Sequence, residues 1–101
     1  LVHRDRTLAT RMDEWIESPN IWLARTAILH QNRWKADTDR DRLFRYCRRR
    51  AGDTEFFIRK AIGWALREYA KHDMPWVIAY VGGLGSRLSP LSRREALKHA
   101  P

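Results

Sequence analysis

Three short segments of the chain share one pattern: Arg25-Thr26-Ala27-Ile28, Arg59-Lys60-Ala61-Ile62 and Arg94-Glu95-Ala96-Leu97. Their alanines are spaced 34 and 35 residues apart. A period of roughly 30 to 47 residues with two helices per unit is typical of α-solenoids. The small alanine would let neighbouring helices pack closely. The pattern therefore predicts an all-α fold of about three antiparallel helix pairs, and a solenoid is one arrangement that such pairs adopt.

Helix-start and helix-stop signals agree with this fold, whereas strand signals are nearly absent. Ser18-Pro19 and Ser89-Pro90 each place a capping serine before a proline at the first helical position. Gly82-Gly83 is expected to end the fifth helix, and the stretch 82–86 is expected to be a mobile loop. Short connections favour antiparallel neighbours. The six predicted helices cover approximately 5–17, 20–32, 38–51, 53–71, 75–82 and 89–99.

The composition is that of a small basic domain. The chain has 101 residues, 44% of them hydrophobic, and 20 Lys+Arg against 12 Asp+Glu give a net charge of +8. An excess of this size indicates a polyanionic partner, most often nucleic acid. The single cysteine excludes a disulfide framework and suits a reducing, cytoplasmic setting. No apolar run reaches the roughly 18 residues of a membrane span, so no membrane partner is expected.

Signatures of cofactor or metal chemistry are thin. The four histidines show no metal-ligand spacing, so we expect no metal site. The segment Gly82-Gly83-Leu84-Gly85 lacks the Gly-Lys-Ser that completes a phosphate-binding loop, and we expect no cofactor. The chain opens on Leu1-Val2-His3 without an initiator methionine, which favours a partial domain of a longer protein.

The fourth predicted helix has two distinct faces. At 100° per residue its core stripe comprises Ile58, Ile62, Ala65, Leu66 and Tyr69. Its other side carries Phe57, Lys60, Trp64, Arg67 and Lys71. A neighbouring repeat or the stems of the basic side chains could cover Trp64. Alternatively, the indole is presented to nucleic acid, since phosphates require positive charge and sugars or bases require a flat apolar surface.

The second predicted helix is apolar on almost every side, which predicts a position between other elements. Arg25 is the one charged residue between Ile21 and Leu29. A guanidinium among apolar neighbours requires an anion or must reach solvent. The anion is either an acidic residue in a structural ion pair or a ligand at the bottom of a cleft.

The third predicted helix combines an apolar stripe with many cations. Cys47 falls at core spacing, which predicts a buried thiol without reactivity. The arginines are spread widely around the helix, which favours a solvated face with non-specific attraction to DNA. They are Arg40, Arg42, Arg45, Arg48, Arg49 and Arg50.

Three longer segments resemble one known family. Residues 20–31 read NIWLARTAILHQ, residues 55–71 read EFFIRKAIGWALREYAK, and residues 88–99 read LSPLSRREALKH. In this order they resemble the DNA alkylation repair family of HEAT-like-repeat alkylpurine DNA glycosylases. The resemblance implies a right-handed α-α superhelix, an ARM-type solenoid whose basic concave face holds duplex DNA. It also implies base-excision chemistry without a metal, in which the N-glycosidic bond of alkylated purines is hydrolysed.

The resemblance assigns roles to individual positions. Arg25 matches the cleft arginine of the family and Trp64 its second cleft tryptophan, and both are therefore candidate catalytic residues. Arg33 and Arg67 match basic positions that contact backbone phosphates. By charge and placement, the further candidates for DNA binding are Lys60, Lys71, Arg93 and Lys98.

One departure from the family pattern concerns catalysis. The catalytic Asp of the family belongs to a Trp-x-x-x-Asp motif about 35 residues before the matched arginine, a point that falls before Leu1. Asp5 and Asp13 are too close to Arg25 to be that residue. The chain thus resembles the C-terminal half of the family domain, with residues 1–101 as a single partial domain that is expected to be inactive alone. The first helix would expose a face on which preceding repeats pack, so self-association is expected.

Two alternatives to a glycosylase remain open at the level of sequence. One is a non-catalytic, HEAT-like module that recognises nucleic acid. The other is an α-solenoid scaffold for an acidic protein, which predicts that Trp64 packs internally and that duplex DNA does not compete with the protein partner.

Overall fold

The computed structural model describes residues 6–32 and 38–100, and within these ranges the chain is helical without a β-strand. A 3-10 turn at Gly85–Arg87 precedes the last helix. The five helices are α1 (Arg6–Trp15), α2 (Ile21–Leu29), α3 (Arg40–Arg50), α4 (Phe56–Leu84) and α5 (Pro90–Ala96).

Side-chain caps define several helix starts, and two of the observed starts differ from the predicted ones. The Ser89 side chain caps α5 by accepting from the backbone N–H of Ser92, and Pro90 follows at the first position, as predicted. The start of α2 lies later than the Ser18-Pro19 signal indicated. Asn20 caps this helix by accepting from the backbone N–H of Trp22 at 2.9 Å. The Ser18 hydroxyl instead accepts from the backbone N–H of Asn20, and Pro19 lies outside the helix.

The start of α4 is also later than predicted. The sequence predicts a start at residue 53, but the helix begins at Phe56 without a side-chain cap. The Asp53 carboxylate has partners before the helix begins: it accepts from the backbone N–H of Glu55 at 2.8 Å and pairs with Arg50.

The long helix α4 consists of two arms that meet at Asp73. The backbone of Asp73 is non-helical, with φ −147° and ψ 76°, and Pro75 follows two residues later. The Asp73 carboxylate accepts from the backbone N–H of Trp76 at 3.2 Å and so caps the second arm, 74–84. The expected boundary between a fourth and a fifth helix is therefore present as this break.

The predicted mobile loop at 82–86 is wrong. Gly82 and Gly83 lie inside the second arm, which continues to Leu84. Gly85 ends the helix with a positive φ of 53°, a conformation that glycine adopts without steric cost. The 3-10 turn then leads directly into α5.

The helices lie in two layers, and layer 1 contains α1, α3 and the second arm of α4. Asp13 of α1 meets Arg42 of α3, and Glu17, two residues after the end of α1, meets Arg49 further along α3. The contacts follow the same order along both segments, so α1 and α3 run in the same direction.

The same order continues from α3 to the second arm of α4. The Arg40 guanidinium lies 4.2 Å from the ring centroid of Trp76. One turn later Phe44 stacks on Tyr80 with ring centroids 4.3 Å apart. The first helices of successive pairs are therefore stacked in parallel, as in a solenoid.

Layer 2 contains α2, the first arm of α4 (56–72) and α5. Trp22 near the start of α2 contacts Phe57 near the start of α4, with ring centroids 5.1 Å apart. Asn32, just after α2, lines the same small cavity as Glu68 of α4. On the other side of α4, the Ser92 hydroxyl of α5 donates to the Arg59 carbonyl oxygen at 2.7 Å.

The repeated alanines mark this second layer. Ala27, Ala61 and Ala96 belong to α2, α4 and α5, and their exposed fractions are 0%, 1% and 0%. The predicted repeat is thus a repeat of packing positions, and the expected all-α fold of three helix pairs is confirmed. The predicted core stripe of α4 is buried throughout, from Ile58 to Tyr69. Cys47 is also buried, and burial raises the pKa of its thiol to about 12, which agrees with a packing role.

The solvated arginine face predicted for α3 is wrong for Arg40, Arg42 and Arg50, which are half-buried, whereas Arg45, Arg48 and Arg49 are exposed. Four of the six arginines also have partners on or next to other helices. Two bind Asp13 of α1: Arg42 at 3.2 Å and Arg45 at 2.8 Å. Arg49 pairs with Glu17 at 2.6 Å. Arg50 binds Asp53 and also donates to the carbonyl oxygen of Ile16 at 2.9 Å. The cations of α3 therefore join α1 to α3 within layer 1.

Asp13 is the centre of this network. Burial alone would raise the pKa of Asp13, but hydrogen bonds from Arg42 and Tyr46 outweigh burial and lower it. Burial, followed by the hydrogen bond to Asp13, raises the pKa of Tyr46. The folded state therefore favours an ionised Asp13 and a neutral Tyr46.

Gly63 allows α5 to approach α4 closely. A Cβ atom at position 63 would lie 2.5 Å from the Glu95 Cβ and 3.1 Å from the Ser92 carbonyl oxygen. Such distances are shorter than van der Waals contact, so only a glycine fits without displacing α5.

We predict opposite effects for two glycine-to-alanine substitutions in α4. Gly63→Ala should lower the free energy of unfolding by about 1 to 3 kcal/mol because of overpacking. Gly82→Ala, where nothing lies within 4 Å of the added Cβ, should raise it by up to about 1 kcal/mol through helix propensity. Urea unfolding followed by circular dichroism measures both. Equal stabilities of the two variants would contradict the close approach at Gly63.

We also predict that the stability of the fold depends on pH through the ionisation of Asp13. Its folded-state pKa is lowered, so its contribution to stability is present above the unfolded value of about 3.9 and is lost as the pH falls through the lowered pKa. The melting temperature should therefore drop less for Asp13→Asn than for the wild type between pH 6 and pH 2.5. An equal drop in both proteins would show that Asp13 does not stabilise the fold electrostatically.

Candidate nucleic-acid interface

Layer 2 presents a surface on which aromatic and basic side chains alternate. We call it the aromatic–basic face. Its α4 residues recur every three or four positions, at 57, 60, 64, 67 and 71, and therefore lie on one side of the helix. The side opposite the core stripe thus stays accessible, as the helical wheel predicted. The face comprises Trp22 and Arg25 of α2, and Phe57, Lys60, Trp64, Arg67 and Lys71 of α4.

Trp64 is the large aromatic residue at the centre of the α4 part. Its side chain is 39% exposed, whereas its neighbours Ala65 and Leu66 are 1% and 0% exposed. Among the described residues, no ring or cation stacks on the indole. Internal packing of Trp64, which the scaffold alternative predicted, is therefore not seen in the described part of the chain.

An exposed pair of aromatic residues, Trp22 and Phe57, extends the face beyond Trp64. Trp22 is 54% exposed and Phe57 is 43% exposed, and their rings meet across the gap between α2 and α4. The prediction that α2 is covered on almost every side is wrong at Trp22. Arg25 and Thr26 lie one turn after Trp22 on the same side of α2. These two polar residues could have indicated that this side of the helix is exposed.

The cations of α4 have carboxylate partners on the protein. Lys60 and Arg67 both lie near one oxygen of Glu95, at 3.9 Å and 3.3 Å. Lys71 lies 2.9 Å from Glu68 on its own helix. Since Lys60 and Lys71 have side chains that are 49% and 64% exposed, solvent screens these pairs and a bound phosphate can still reach the ammonium groups.

No carboxylate among the described residues lies within ion-pair distance of Arg25. Its side chain is partly buried. The contacts of α2 with α4 place it at the level of Lys60, one turn beyond the Trp22–Phe57 pair. A structural ion pair is therefore absent from the described residues, and the alternative of an anion held at this position stays a prediction.

The remaining predicted cations are dispersed. Arg93 donates to the carbonyl oxygen of Gly85 and so fastens α5 to the preceding turn. Lys98 follows α5 and is exposed. Arg33 lies outside the described residues. The structure thus places Lys60, Arg67 and Lys71 on the same side of α4 as Trp64, with Arg25 on the adjacent helix α2, while Arg93 binds the turn before α5.

Glu95 is a residue of this site that sequence reasoning missed. Its side chain is only 17% exposed and contacts both cations that flank Trp64. The repeated segments contained a signal for Glu95. It stands in Arg94-Glu95-Ala96-Leu97 at the position of Lys60 in Arg59-Lys60-Ala61-Ile62. A charge inversion at equivalent positions of stacked helices is typical of an ion pair between them.

The chemistry available on this face is that of binding. Cations attract phosphate groups, and exposed aromatic rings offer apolar surface to sugars and bases. Within the described ranges no group of three or more His, Cys, Asp or Glu side chains could hold a metal ion. None of the described helices is both long and apolar enough to cross a membrane.

Comparisons with known proteins identify the family. The family model of DNA alkylation repair enzymes matches residues 1–100. A solved structure, the predicted DNA alkylation repair enzyme from Enterococcus faecalis, is 36% identical and superposes with a TM-score of 0.85. The match covers 91% of this chain and 42% of that chain, so the chain spans less than half the length of this relative. A comparison with proteins of curated function gives no match. The chain belongs to the DNA alkylation repair enzyme family.

Proposed function

We propose that the aromatic–basic face binds duplex DNA that carries alkylated purines, as part of a DNA glycosylase. The observation that carries this proposal is the position of Trp64, exposed on layer 2 with Lys60 and Arg67 one turn to either side. An exposed indole between two cations offers a nucleic acid both positive charge and a flat apolar surface. Membership of the family supports DNA as that ligand.

The proposed reaction is hydrolysis of the N-glycosidic bond of the alkylated purine. Alkylation of a ring nitrogen weakens this bond and often leaves the base cationic. As the bond breaks, positive charge develops on the sugar, and groups that stabilise this charge accelerate the reaction. The face of an indole attracts a cation through its quadrupole, so we assign Trp64 to the lesion and its deoxyribose.

Arg25 is assigned to a phosphate or another anion close to the lesion. It is partly buried without a described carboxylate partner, and a partly buried guanidinium binds phosphate strongly through paired hydrogen bonds. Arg33, Lys71 and Lys98 are proposed as further phosphate contacts on the basis of charge.

The carboxylate required by this chemistry is proposed to come from the Trp-x-x-x-Asp motif of the family. Residues 1–101 contain no Trp-x-x-x-Asp sequence. The carboxylates on the described face, Glu68 and Glu95, are engaged by cations, which makes them poor candidates for positioning water. This chain alone is therefore expected to bind DNA weakly and to release little or no base.

Duplex binding in a salt series tests the proposed interface. Arg67→Ala should lower the magnitude of the log–log salt slope by about 0.9, because one phosphate contact is lost. Trp64→Ala should weaken binding without changing the slope, because an indole releases no counter-ion. Fluorescence anisotropy with a labelled duplex measures both quantities.

Two residues of layer 1 provide matched controls for this experiment. Arg49→Ala removes an exposed, ion-paired arginine, and Trp76→Ala removes a tryptophan that is 44% exposed. Both variants should bind like the wild type. If these controls weaken binding as much as the variants of layer 2 do, DNA is not held on the aromatic–basic face.

The same duplex carrying one 7-methylguanine tests the catalytic part of the proposal. Free base released over time is compared with spontaneous release in buffer. The chain alone should not exceed the spontaneous rate, whereas a protein extended by the Trp-x-x-x-Asp region of a relative should exceed it and lose that gain with Trp64→Ala. Undiminished release by the Trp64→Ala protein would contradict the role assigned to the indole.

A further inference from the structure

Glu95 occupies an unusual position for a carboxylate on a basic, DNA-binding surface. It projects from α5 against α4 at Gly63, where the absence of a side chain leaves room for its Cβ atom. Its side chain is 17% exposed, so the charge is largely withdrawn from water. A carboxylate in such a place needs compensation by a cation.

The compensation comes from the two cations that flank Trp64. A single oxygen, Oε1 of Glu95, lies 3.3 Å from Nη1 of Arg67 and 3.9 Å from Nζ of Lys60. Lys60 precedes Trp64 by one helical turn and Arg67 follows it by nearly one turn. One carboxylate of α5 therefore faces two of the cations that the proposed function assigns to DNA binding.

These contacts are weak enough to be exchanged. The hydrogen bond from Arg67 involves one nitrogen and one oxygen at 3.3 Å, at the long end of the usual range. Arginine binds carboxylate or phosphate best through two parallel hydrogen bonds. A DNA phosphate can offer that geometry to Arg67, whereas Glu95 in its observed position uses only one nitrogen.

We propose that Glu95 is the resident counter-ion of the aromatic–basic face. In the free protein it offsets part of the positive charge of Arg67 and Lys60, and a backbone phosphate displaces it from Arg67 when DNA binds. Glu95 thereby sets the affinity for DNA by competing with phosphate. The proposal rests on the proposed function, since it requires that Arg67 contacts DNA.

A purely structural role for Glu95 predicts a different outcome. If Glu95 only fastened α5 to α4, removing its charge would lower stability and leave or weaken DNA binding. The hydrogen bond from Ser92 to the Arg59 carbonyl oxygen already joins these two helices. Loss of the Glu95 charge should thus leave the fold in place, and circular dichroism checks this.

The test compares two glutamate-to-glutamine variants that change the net charge equally. Glu95→Gln keeps the shape and an oxygen that can accept from Arg67, but it removes the competing charge. Glu17→Gln removes the partner of Arg49 in layer 1. The hydrogen bond between Arg67 and Glu95 is single and long, so Glu95→Gln should bind duplex DNA about two- to fivefold more tightly than Glu17→Gln at low salt.

The gain must depend on Arg67. In an Arg67→Ala background, Glu95→Gln should give little or no increase in affinity beyond that of Glu17→Gln. Glu95→Asp provides a second variant that keeps the native charge. Its shorter side chain reaches less far toward Arg67, so it should strengthen binding in the same direction by a smaller factor.

Three results would overturn the proposal: equal affinities of Glu95→Gln and Glu17→Gln, weaker binding by Glu95→Gln, or a gain that persists without Arg67. Failure of the proposed function looks different. In that case the wild type does not bind duplex DNA, or Arg67→Ala leaves the salt slope unchanged. A slope that falls with Arg67→Ala, together with equal affinities of the two glutamine variants, rejects only the role of Glu95.

Discussion

The close contact of α5 with α4 at Gly63 is the constraint on which the proposed interface depends. Because position 63 carries no Cβ atom, the Glu95 side chain can lie against α4. From there its carboxylate reaches the two cations that flank Trp64. The same contact thus determines how the last two repeats pack and how much positive charge the face presents. A larger residue at position 63 would change both properties at once.

The two layers use their arginines differently. In layer 1, the arginines of α3 bind Asp13 of α1 and Glu17 just after it, and so hold successive repeats together. In layer 2, the cations around Trp64 share few carboxylates, and Arg25 has none among the residues that the structure describes. A high arginine content is therefore not itself a measure of DNA binding. The cations of layer 2 lie beside the exposed rings of Trp22, Phe57 and Trp64, and this combination offers both charge and apolar surface to a nucleic acid.

Much of the fold is encoded in local patterns and could be predicted from the sequence. The repeated alanines and the core stripe of α4 follow helical periodicity, and each is buried as expected. The errors arose where a side chain chooses between partners that are distant in sequence. The carboxylate of Asp53 is taken by Arg50 and the Glu55 amide, so it does not cap α4. The α3 arginines meet α1 across about 30 residues of chain, and Trp22 meets Phe57 rather than a covering helix. A helical wheel shows the direction of a side chain, but it does not show which element lies there.

Whether DNA lies on layer 2 is visible in the indole N–H signals of the tryptophans in a ¹⁵N-labelled protein. Trp22 and Trp64 belong to the aromatic–basic face, whereas Trp15 and Trp76 belong to layer 1. Single substitutions assign the signals, and a short duplex is then titrated at low salt. If DNA lies on layer 2, the signals of Trp22 and Trp64 shift or broaden while those of Trp15 and Trp76 stay in place. Perturbation of Trp76 with Trp64 unchanged would instead place the nucleic acid on layer 1 and rule out the aromatic–basic face as the DNA-binding surface.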